Sequence, residues 1–164
     1  MIILGIDPGY AIVGWGVIDY SKNTFRTLGY GSITTPAKTE PASRLAEIYH
    51  GMNQIIQKYK PDQMAVEELF FNTNGKTAIM VAEARGVILL AAKEAKMDIY
   101  EYTPLQVKQA VVGYGRAEKK QVINMVTSFL NLKTPPKPDD TADALAIAVC
   151  HAHAGCSALA RYIK

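Results

Sequence analysis

The sequence predicts an α/β fold in which a mixed five-stranded sheet is flanked by helices. Three observations lead to this fold class. The chain begins with a nearly continuous apolar run, Ile2–Ile6, which is typical of a strand buried on both faces. Two more strand patterns follow before any helix. From Pro41 onward helical and strand patterns alternate, and the last third of the chain is helical. We therefore expect the element order βββαβαβααα.

The first three strands are predicted to form an antiparallel meander. The first strand ends at Asp7, because the Pro-Gly pair that follows forces the chain to turn. Apolar and glycine positions alternate from Ile12 to Asp19 and predict the second strand. A turn at residues 20–24 leads into the third strand, Phe25 to Thr34. Connections this short allow neighbouring strands to pair in order.

The middle of the chain alternates between helix and strand. Pro41 suits the first turn of a helix, and apolar residues then recur at three- and four-residue spacing as far as Tyr59. A short strand, Gln63 to Glu67, comes next. A second helix is predicted from about Thr77 to Lys96, and the fifth strand from Asp98 to Tyr102.

Three helices are predicted to complete the chain. Thr103 and Pro104 combine a capping residue with a proline at the first helical position. The Gly-Tyr-Gly sequence at residues 113–115 ends that helix, and a further amphipathic helix follows. The last helix extends from about Asp139 to His153, and its many alanines predict close packing on the sheet.

Length and composition predict one soluble domain over residues 1–164. Hydrophobic residues make up 49% and charged residues 20% of the chain, and no apolar run approaches the roughly 20 residues of a membrane span. The N-terminus lacks the basic region of a signal peptide. Two cysteines, Cys150 and Cys156, indicate no disulfide scaffold, so we expect a cytoplasmic protein without a membrane partner.

Positive charge is concentrated in one part of the chain. Residues 103–137 carry six basic side chains and a single acidic one, whereas the segments on either side are each slightly acidic. An ordinary solvated face mixes both signs. The uneven distribution therefore favours a polyanionic partner such as nucleic acid.

Isolated carboxylates occur where the predicted strands end. Asp7 ends the first strand and Glu67 the fourth, at the sheet edge where open α/β sheets bind their ligands. Glu68 is expected to face away from Asp7, because side chains alternate along a strand. Asp140 and Asp143 are three residues apart and share one face of the last helix. We expect Asp7, Glu67, Asp140 and Asp143 to lie close together.

Four such carboxylates predict a divalent cation site. Hard oxygen ligands select Mg²⁺ or Mn²⁺, and two ions about 3.5–4 Å apart promote phosphodiester hydrolysis by activating water and stabilising the leaving oxygen. Together with the basic segment, this chemistry favours a nuclease. Simpler roles stay open: Asp7 satisfies amides of its own turn, and Asp140 and Asp143 favour the helix dipole. Asp139 is expected to cap the last helix.

Three weaker patterns admit more than one interpretation. The loop at residues 113–115 either presents backbone amides to phosphate or simply connects two helices. One of Phe70 and Phe71 is expected to stay accessible, where it can stack on an unpaired base. Zinc is a poor alternative for the C-terminal cysteines and histidines, whose helical spacing does not bring four ligands together. They are Cys150, His151, His153 and Cys156.

A series of motifs, in order along the chain, resembles the RuvC family of bacterial Holliday junction resolvases. The resemblance extends from about Ile2 to His153 without large gaps, and the tail from residue 154 lies outside it. The D-x-G start alone occurs across RNase H-like and sugar-kinase folds, so the set as a whole carries the resemblance. The motifs are Gly5-Ile-Asp-Pro-Gly9, Gly14-x-Gly16, Val66-Glu67, Glu83-Ala-Arg-Gly86, Val107-Lys-Gln109, Val112-Gly-Tyr-Gly115, Ala117-Glu-Lys119 and Asp140-Thr-Ala-Asp-Ala-Leu145.

The resemblance implies an RNase H-like fold and a homodimer that nicks two opposed strands of a four-way DNA junction. It implies roles in homologous recombination and DNA repair, Mg²⁺ as the cofactor, and the RuvAB branch-migration complex as a partner. The implied site residues are Asp7, Glu67, Asp140 and Asp143 as catalytic Mg²⁺ ligands, Lys108 and Lys119 as DNA-contacting lysines, and Phe70 as an aromatic beside the junction centre. Asp140 is the least certain in role, because some family members have histidine there.

Three rival functions differ from a junction resolvase. A hybrid-cleaving RNase H is the nearest, and a substrate panel separates the two. An ATP-binding domain of the sugar-kinase type also begins with a strand and D-x-G, but it needs a second glycine-rich phosphate loop and about twice the length. An inert RNase H-like module that binds nucleic acid tolerates loss of an acid, whereas all four are present here.

Overall fold

The structure, a computed structural model, describes residues 1–69, 75–154 and 161–163. None of the helices in these ranges is long and apolar enough to cross a membrane. The strands are β1 (Ile2–Asp7), β2 (Ile12–Ser21), β3 (Thr24–Thr34), β4 (Gln63–Glu67), β5 (Asp98–Tyr102) and β6 (Arg161–Ile163). The helices are α1 (Pro41–Tyr59), α2 (Gly75–Glu94), α3 (Pro104–Val112), α4 (Lys119–Phe129) and α5 (Asp139–Ala154).

The strands form one mixed sheet in the order β3-β2-β1-β4-β5-β6. The meander of β1, β2 and β3 is antiparallel, and β4 and β5 continue the sheet parallel to β1. All five predicted strands are present. The short β6 was not predicted; it lies beyond the predicted helices and pairs antiparallel with β5. Its three residues are too few to produce a periodic pattern.

Local sequence signals account for several element ends. The β2–β3 turn places Lys22 and Asn23 in the left-handed region, with φ of 50° and 58°. At the start of α3, the Gln106 N–H donates to Thr103 Oγ1 at 3.1 Å, and the Thr103 N–H donates to Gln106 Oε1 at 2.8 Å. Gly113 ends the same helix at φ 94°, where a side chain would be strained.

The hydrophobic core has two layers, one on each face of the sheet. The helices α1 and α2 cover one face, and α3, α4 and α5 cover the other. Side chains of β1 alternate between the layers: Ile3 packs toward α5, whereas Leu4 and Ile6 pack toward α1 and α2. All three are fully buried, which confirms that the first strand is central.

Glycines in β1 and β2 allow α5 to lie directly on the sheet. A Cβ at Gly5 would lie 2.1 Å from the Ala144 carbonyl oxygen, and a Cβ at Gly14 would lie 2.0 Å from that of Asp140. Alanine side chains of α5 keep the distance between helix and sheet short. The consequence is that the first turn of α5 sits against the strand partner of Asp7, since Asp7 pairs with Gly14.

Candidate active site

Two strand ends bring the first pair of carboxylates together. The strands β1 and β4 are parallel neighbours with Ile6 opposite Val66, so Asp7 and Glu67 leave the sheet at the same edge. The negative charge of Glu67 acts on Asp7, which shows that the two carboxylates are close. Glu68 directly follows β4, and its N–H donates to the Tyr102 carbonyl at 2.8 Å.

The start of α5 adds the other two carboxylates. The Thr141 N–H donates to the Pro138 carbonyl, and Thr141 Oγ1 donates to the Gly31 carbonyl at 3.1 Å, which ties the first helical turn to β3. Asp140 and Asp143 both act electrostatically on Asp7. The structure thus gathers the predicted set, which we call the acidic cluster: Asp7, Glu67, Asp140 and Asp143.

Burial and mutual repulsion make these carboxylates hard to ionise. Burial, then the charges of Glu67, Asp143 and Asp140, raise the pKa of Asp7 to about 8. Burial and the charge of Asp143 raise the pKa of Glu67 to about 7. Burial also raises the pKa of Asp143, although Lys119 opposes that shift. A cation bound among these acids would be favourable, because its positive charge offsets the repulsion between the carboxylates.

Lys119 lies among these acids. Lys119 Nζ is 2.9 Å from Asp143 Oδ2 and 3.5 Å from Asp139 Oδ2. Burial lowers the pKa of Lys119, but its contacts with Asp143 and Asp139 outweigh burial and raise it overall. The resemblance implied that Lys119 contacts DNA. The structure places its ammonium beside Asp143, a pairing that no local pattern signalled.

The pairing follows from where α4 begins. Lys119 is the first residue of α4, and the preceding Glu118 N–H donates to Gln121 Oε1 at 2.9 Å. On α5, Asp139 and Asp143 stand four residues apart on one helical face. Packing of α4 against α5 brings the two helix starts together. Asp139 was predicted to cap α5, but it is the first residue of that helix and contacts Lys119.

A cleft of about 220 Å³ opens beside the acidic cluster between α3, α4 and α5. Lys108, from α3, acts on Glu67 and opposes the rise in its pKa. The predicted DNA-contacting lysines therefore converge on the two acids that line this cleft. The lining residues are Glu67, Pro104, Val107, Lys108, Lys119, Val122 and Asp143.

The donor set suits a hard divalent cation. It consists of carboxylates from three elements, and burial followed by neighbouring charges raises the pKa values of Asp7 and Glu67. Mg²⁺ or Mn²⁺ prefers such oxygen ligands. Within the described ranges, however, no three acidic, histidine or cysteine side chains are already gathered tightly enough to hold one ion. Lys119, in contact with Asp143, occupies part of the space between the helix starts.

The weaker patterns have mixed outcomes. Phe70, Phe71 and Cys156 lie outside the described residues. Zinc is not supported among the described residues, because His151 contacts Tyr102 and Gln63, whereas the thiol of Cys150 donates to the Gln106 carbonyl. The loop at residues 113–115 joins α3 to α4, which is compatible with both interpretations of it.

The raised pKa values predict that stability falls as pH rises. An acid whose pKa is higher in the folded state than in the unfolded chain stabilises most below its ordinary pKa, and that contribution is lost through the folded pKa. For Asp7 the window extends from about 4 to about 8. Buried His151, with its pKa lowered to about 4, gives the opposite slope below its ordinary pKa of 6.5.

Between pH 6.5 and 8.5, in buffer with a chelator, we therefore expect the melting temperature to fall. The Asp7→Asn variant is expected to show a shallower decrease and to be more stable than wild type at pH 8. Each kcal/mol corresponds to about 2–4 °C for a chain of this size. Thermal unfolding followed by circular dichroism measures both curves. Parallel curves for the two proteins would show that Asp7 is not protonated in this window.

Comparison with known proteins gives an extended match. The family described as Crossover junction endodeoxyribonuclease RuvC matches residues 3–151. The chain is 61% identical over 155 residues to the crossover junction endodeoxyribonuclease RuvC of Alkaliphilus metalliredigens, covering 94% of each protein. It is 63% identical over 151 residues to that of Halothermothrix orenii, covering 92% of each.

A solved structure agrees with these matches. Thermus thermophilus RuvC, in complex with Holliday junction substrate, superimposes with a TM-score of 0.94 at 36% identity, covering 99% of each chain. The fold is thus RNase H-like, as the resemblance implied. The matched residues include the whole acidic cluster and both lysines of the cleft.

Proposed function

This chain belongs to the RuvC family of crossover junction endodeoxyribonucleases, and we propose that its acidic cluster cuts four-way DNA junctions. The protein is an endodeoxyribonuclease that acts in homologous recombination and DNA repair. One observation above all supports the proposed site: four carboxylates from β1, β4 and α5 meet at one sheet edge. A cleft opens beside them, and two of its lining residues, Lys108 and Lys119, carry the positive charge that a polyanionic substrate requires.

Asp7, Glu67, Asp140 and Asp143 would hold two Mg²⁺ ions, or Mn²⁺ in their place. Bound there, the ions supply an activated water and neutralise charge at the scissile phosphate. Asp7 and Glu67 would lose their protons as the cation binds, because their pKa values are raised without it. Asp143 must also exchange part of its contact with Lys119 for the ion.

The lysines of the cleft complete the proposed DNA interface. Lys108 and Lys119 neutralise backbone phosphates next to the cut and release counterions on binding. Because the Lys119 side chain is 52% exposed and its Nζ is paired with Asp143, it is available to both a phosphate and an acid. Phe70 is proposed to stack on a base near the junction centre.

A synthetic four-way junction tests the proposed function. Incubated with the protein and Mg²⁺, the junction should yield paired, symmetric nicks in two opposed strands. A linear duplex and an RNA–DNA hybrid serve as matched substrates in the same assay. Preferential cutting of the hybrid would support a hybrid-cleaving RNase H instead, and absence of any cleavage with Mg²⁺ or Mn²⁺ would contradict the proposal.

We propose a homodimer whose contact face is α2. Gly86 has open space around its Cβ position, and the exposed residues Ile79, Gly86 and Leu90 follow one another at helical spacing. Ile79 is 63% and Leu90 is 53% exposed, which is unusual for large apolar side chains on one stripe. A twofold pair of active sites matches the two equivalent strands of a junction.

Sedimentation tests the dimer and its face together. Wild type is expected to sediment as a dimer at micromolar concentration, and Leu90→Glu as a monomer, because a charge replaces an apolar contact. Leu105→Glu is the control, since Leu105 is similarly exposed but lies on α3. A monomeric wild type would contradict the dimer, and a dimeric Leu90→Glu would place its contact elsewhere.

Two further proposals follow from the family. The RuvAB branch-migration complex is proposed as the protein partner that delivers junctions to this nuclease. The DNA substrate and the two-cysteine composition support the cytoplasmic location predicted from the sequence.

A further inference from the structure

A buried arginine holds the turn that follows Asp7. Arg44, in the first turns of α1, is only 7% exposed, and Thr35, after β3, is 3% exposed. Both reach the Tyr10–Ala11 segment, which connects β1 to β2. We call these three residues, Tyr10, Thr35 and Arg44, the Arg44 network.

The contacts of the network converge on backbone carbonyls of the turn. Thr35 Oγ1 donates to the Tyr10 carbonyl at 2.7 Å, and the Thr35 N–H donates to the Ala11 carbonyl at 2.9 Å. Arg44 Nε donates to Thr35 Oγ1 at 2.9 Å, and Nη2 lies 3.4 Å from the Tyr10 carbonyl. The guanidinium carbon lies 3.9 Å from the centre of the Tyr10 ring.

The guanidinium of Arg44 has no carboxylate partner in the part of the chain that the structure describes. Among the described residues no carboxylate forms an ion pair with its guanidinium. A buried cation without an acid is costly, so carbonyl dipoles and the Tyr10 ring must stabilise it. A planar group with donors in fixed directions meets these acceptors together, which an ammonium does not.

The segment held in this way borders the acidic cluster. A groove of about 490 Å³ is lined by Gly9, Tyr10, Ala11 and Ile12 on one side and reaches both Arg44 and Asp140. Asp7 lies two residues before Gly9, so the groove that Asp140 lines begins at the turn that directly follows Asp7. A shift of Tyr10 would change the spacing between acids on β1 and on α5.

We propose that Arg44 and Thr35 are positioning residues of the active site: through Tyr10 and Ala11 they hold Asp7 and Asp140 at the spacing that divalent cations require. This inference rests on the proposed function. Direct hydrogen-bond partners of a metal ligand typically change metal affinity by about 10–100-fold. Arg44 and Thr35 act through the intervening turn, so we expect the lower end of that range, about 10-fold.

Calorimetric titration with Mn²⁺, using the full chain without DNA, tests the proposal. Thr35→Val keeps the side-chain shape but removes the hydroxyl, and it should weaken Mn²⁺ binding about 10-fold. Thr35→Ser keeps the hydroxyl and should restore wild-type affinity. Arg44→Lys keeps the charge but loses the planar donors, and it should resemble Thr35→Val. In the presence of junction and Mg²⁺, the half-saturating Mg²⁺ concentration for nicking should be higher for Thr35→Val and Arg44→Lys than for wild type and Thr35→Ser.

Ile48→Ala is the control for lost stability. Ile48 is fully buried one turn beyond Arg44, and its apolar side chain donates no hydrogen bond to the turn. This variant should lower the melting temperature but leave Mn²⁺ affinity unchanged. If Thr35→Val melts lower yet binds Mn²⁺ like wild type, the Arg44 network only stabilises the fold, and the inference is wrong. If wild type itself neither binds Mn²⁺ nor nicks junctions, the proposed function fails instead.

Discussion

Replacing Asp7 with asparagine is expected to abolish Mg²⁺-dependent nicking of a four-way junction, with junction binding and the fold largely retained. Asparagine keeps the volume of the side chain but removes the charge that holds a cation. Loss of a partner one step removed from a metal already costs about 10–100-fold, so loss of the ligand itself should cost at least about 100-fold. Glu67→Gln is expected to behave alike, because it removes the neighbouring charge of the same sheet edge.

Single-turnover cleavage at saturating junction measures this loss, and binding is measured separately in Ca²⁺. The larger Ca²⁺ is less demanding in geometry, so it should support binding but little cleavage. Asp19→Asn is the matched control: Asp19 is also a β-sheet aspartate, but it pairs with Arg26 and the N-terminus at the other end of β1. Near-normal nicking by Asp7→Asn with Mg²⁺ would show that the metal assignment is wrong.

Lys119→Ala is expected to lower the single-turnover rate even when the junction is saturating. Its ammonium lies 2.9 Å from Asp143 and lines the cleft beside Glu67, so it acts where the scissile phosphate is proposed to bind. Removing one charge-stabilising donor from an enzyme site typically costs about 10²–10³ in rate. The variant should also bind junctions less tightly, with the slope of log K against log salt shallower by about one at most.

Lys120→Ala is the control that separates the effect of a lysine charge on the cleavage rate from its effect on DNA binding. Lys120 is the next residue of α4 and is exposed, and among the described residues it makes no ion pair. Its loss should leave the rate at saturating DNA unchanged. A wild-type rate for Lys119→Ala would mean that its contact with Asp143 has no part in chemistry, and an unchanged salt slope would mean that it does not contact phosphates.

Local sequence was enough to predict much of the fold. Three signals that predicted elements correctly each involve only neighbouring residues: the apolar run ending at Asp7, the proline at the start of α1 and the Thr103 cap. Short-range patterns of this kind reflect the repeat of a strand or a helix, and they hold wherever the element packs. For the same reason it was predictable that Asp140 and Asp143 lie on the same face of α5.

The candidate site was predicted as a set of acids but not as an arrangement. Asp7 and Glu67 were expected to lie close together because each ends a predicted strand. In the structure the negative charge of Glu67 is, after burial, the next cause that raises the pKa of Asp7. The sequence did not indicate that Lys119 would contact Asp143, 24 residues further along the chain. That contact depends on how α4 packs against α5, which no local repeat encodes.

By itself, therefore, the sequence determined the order of strands and helices, the carboxylates and the family of this protein. Only the tertiary structure decided the partners of Lys119, the short strand β6 and the contacts of Arg44 with the turn at Tyr10. The physical reason is the range of the interactions. Periodicity and capping act within one element, whereas each of these contacts joins elements whose relative positions are set by packing the whole sheet and both helical layers.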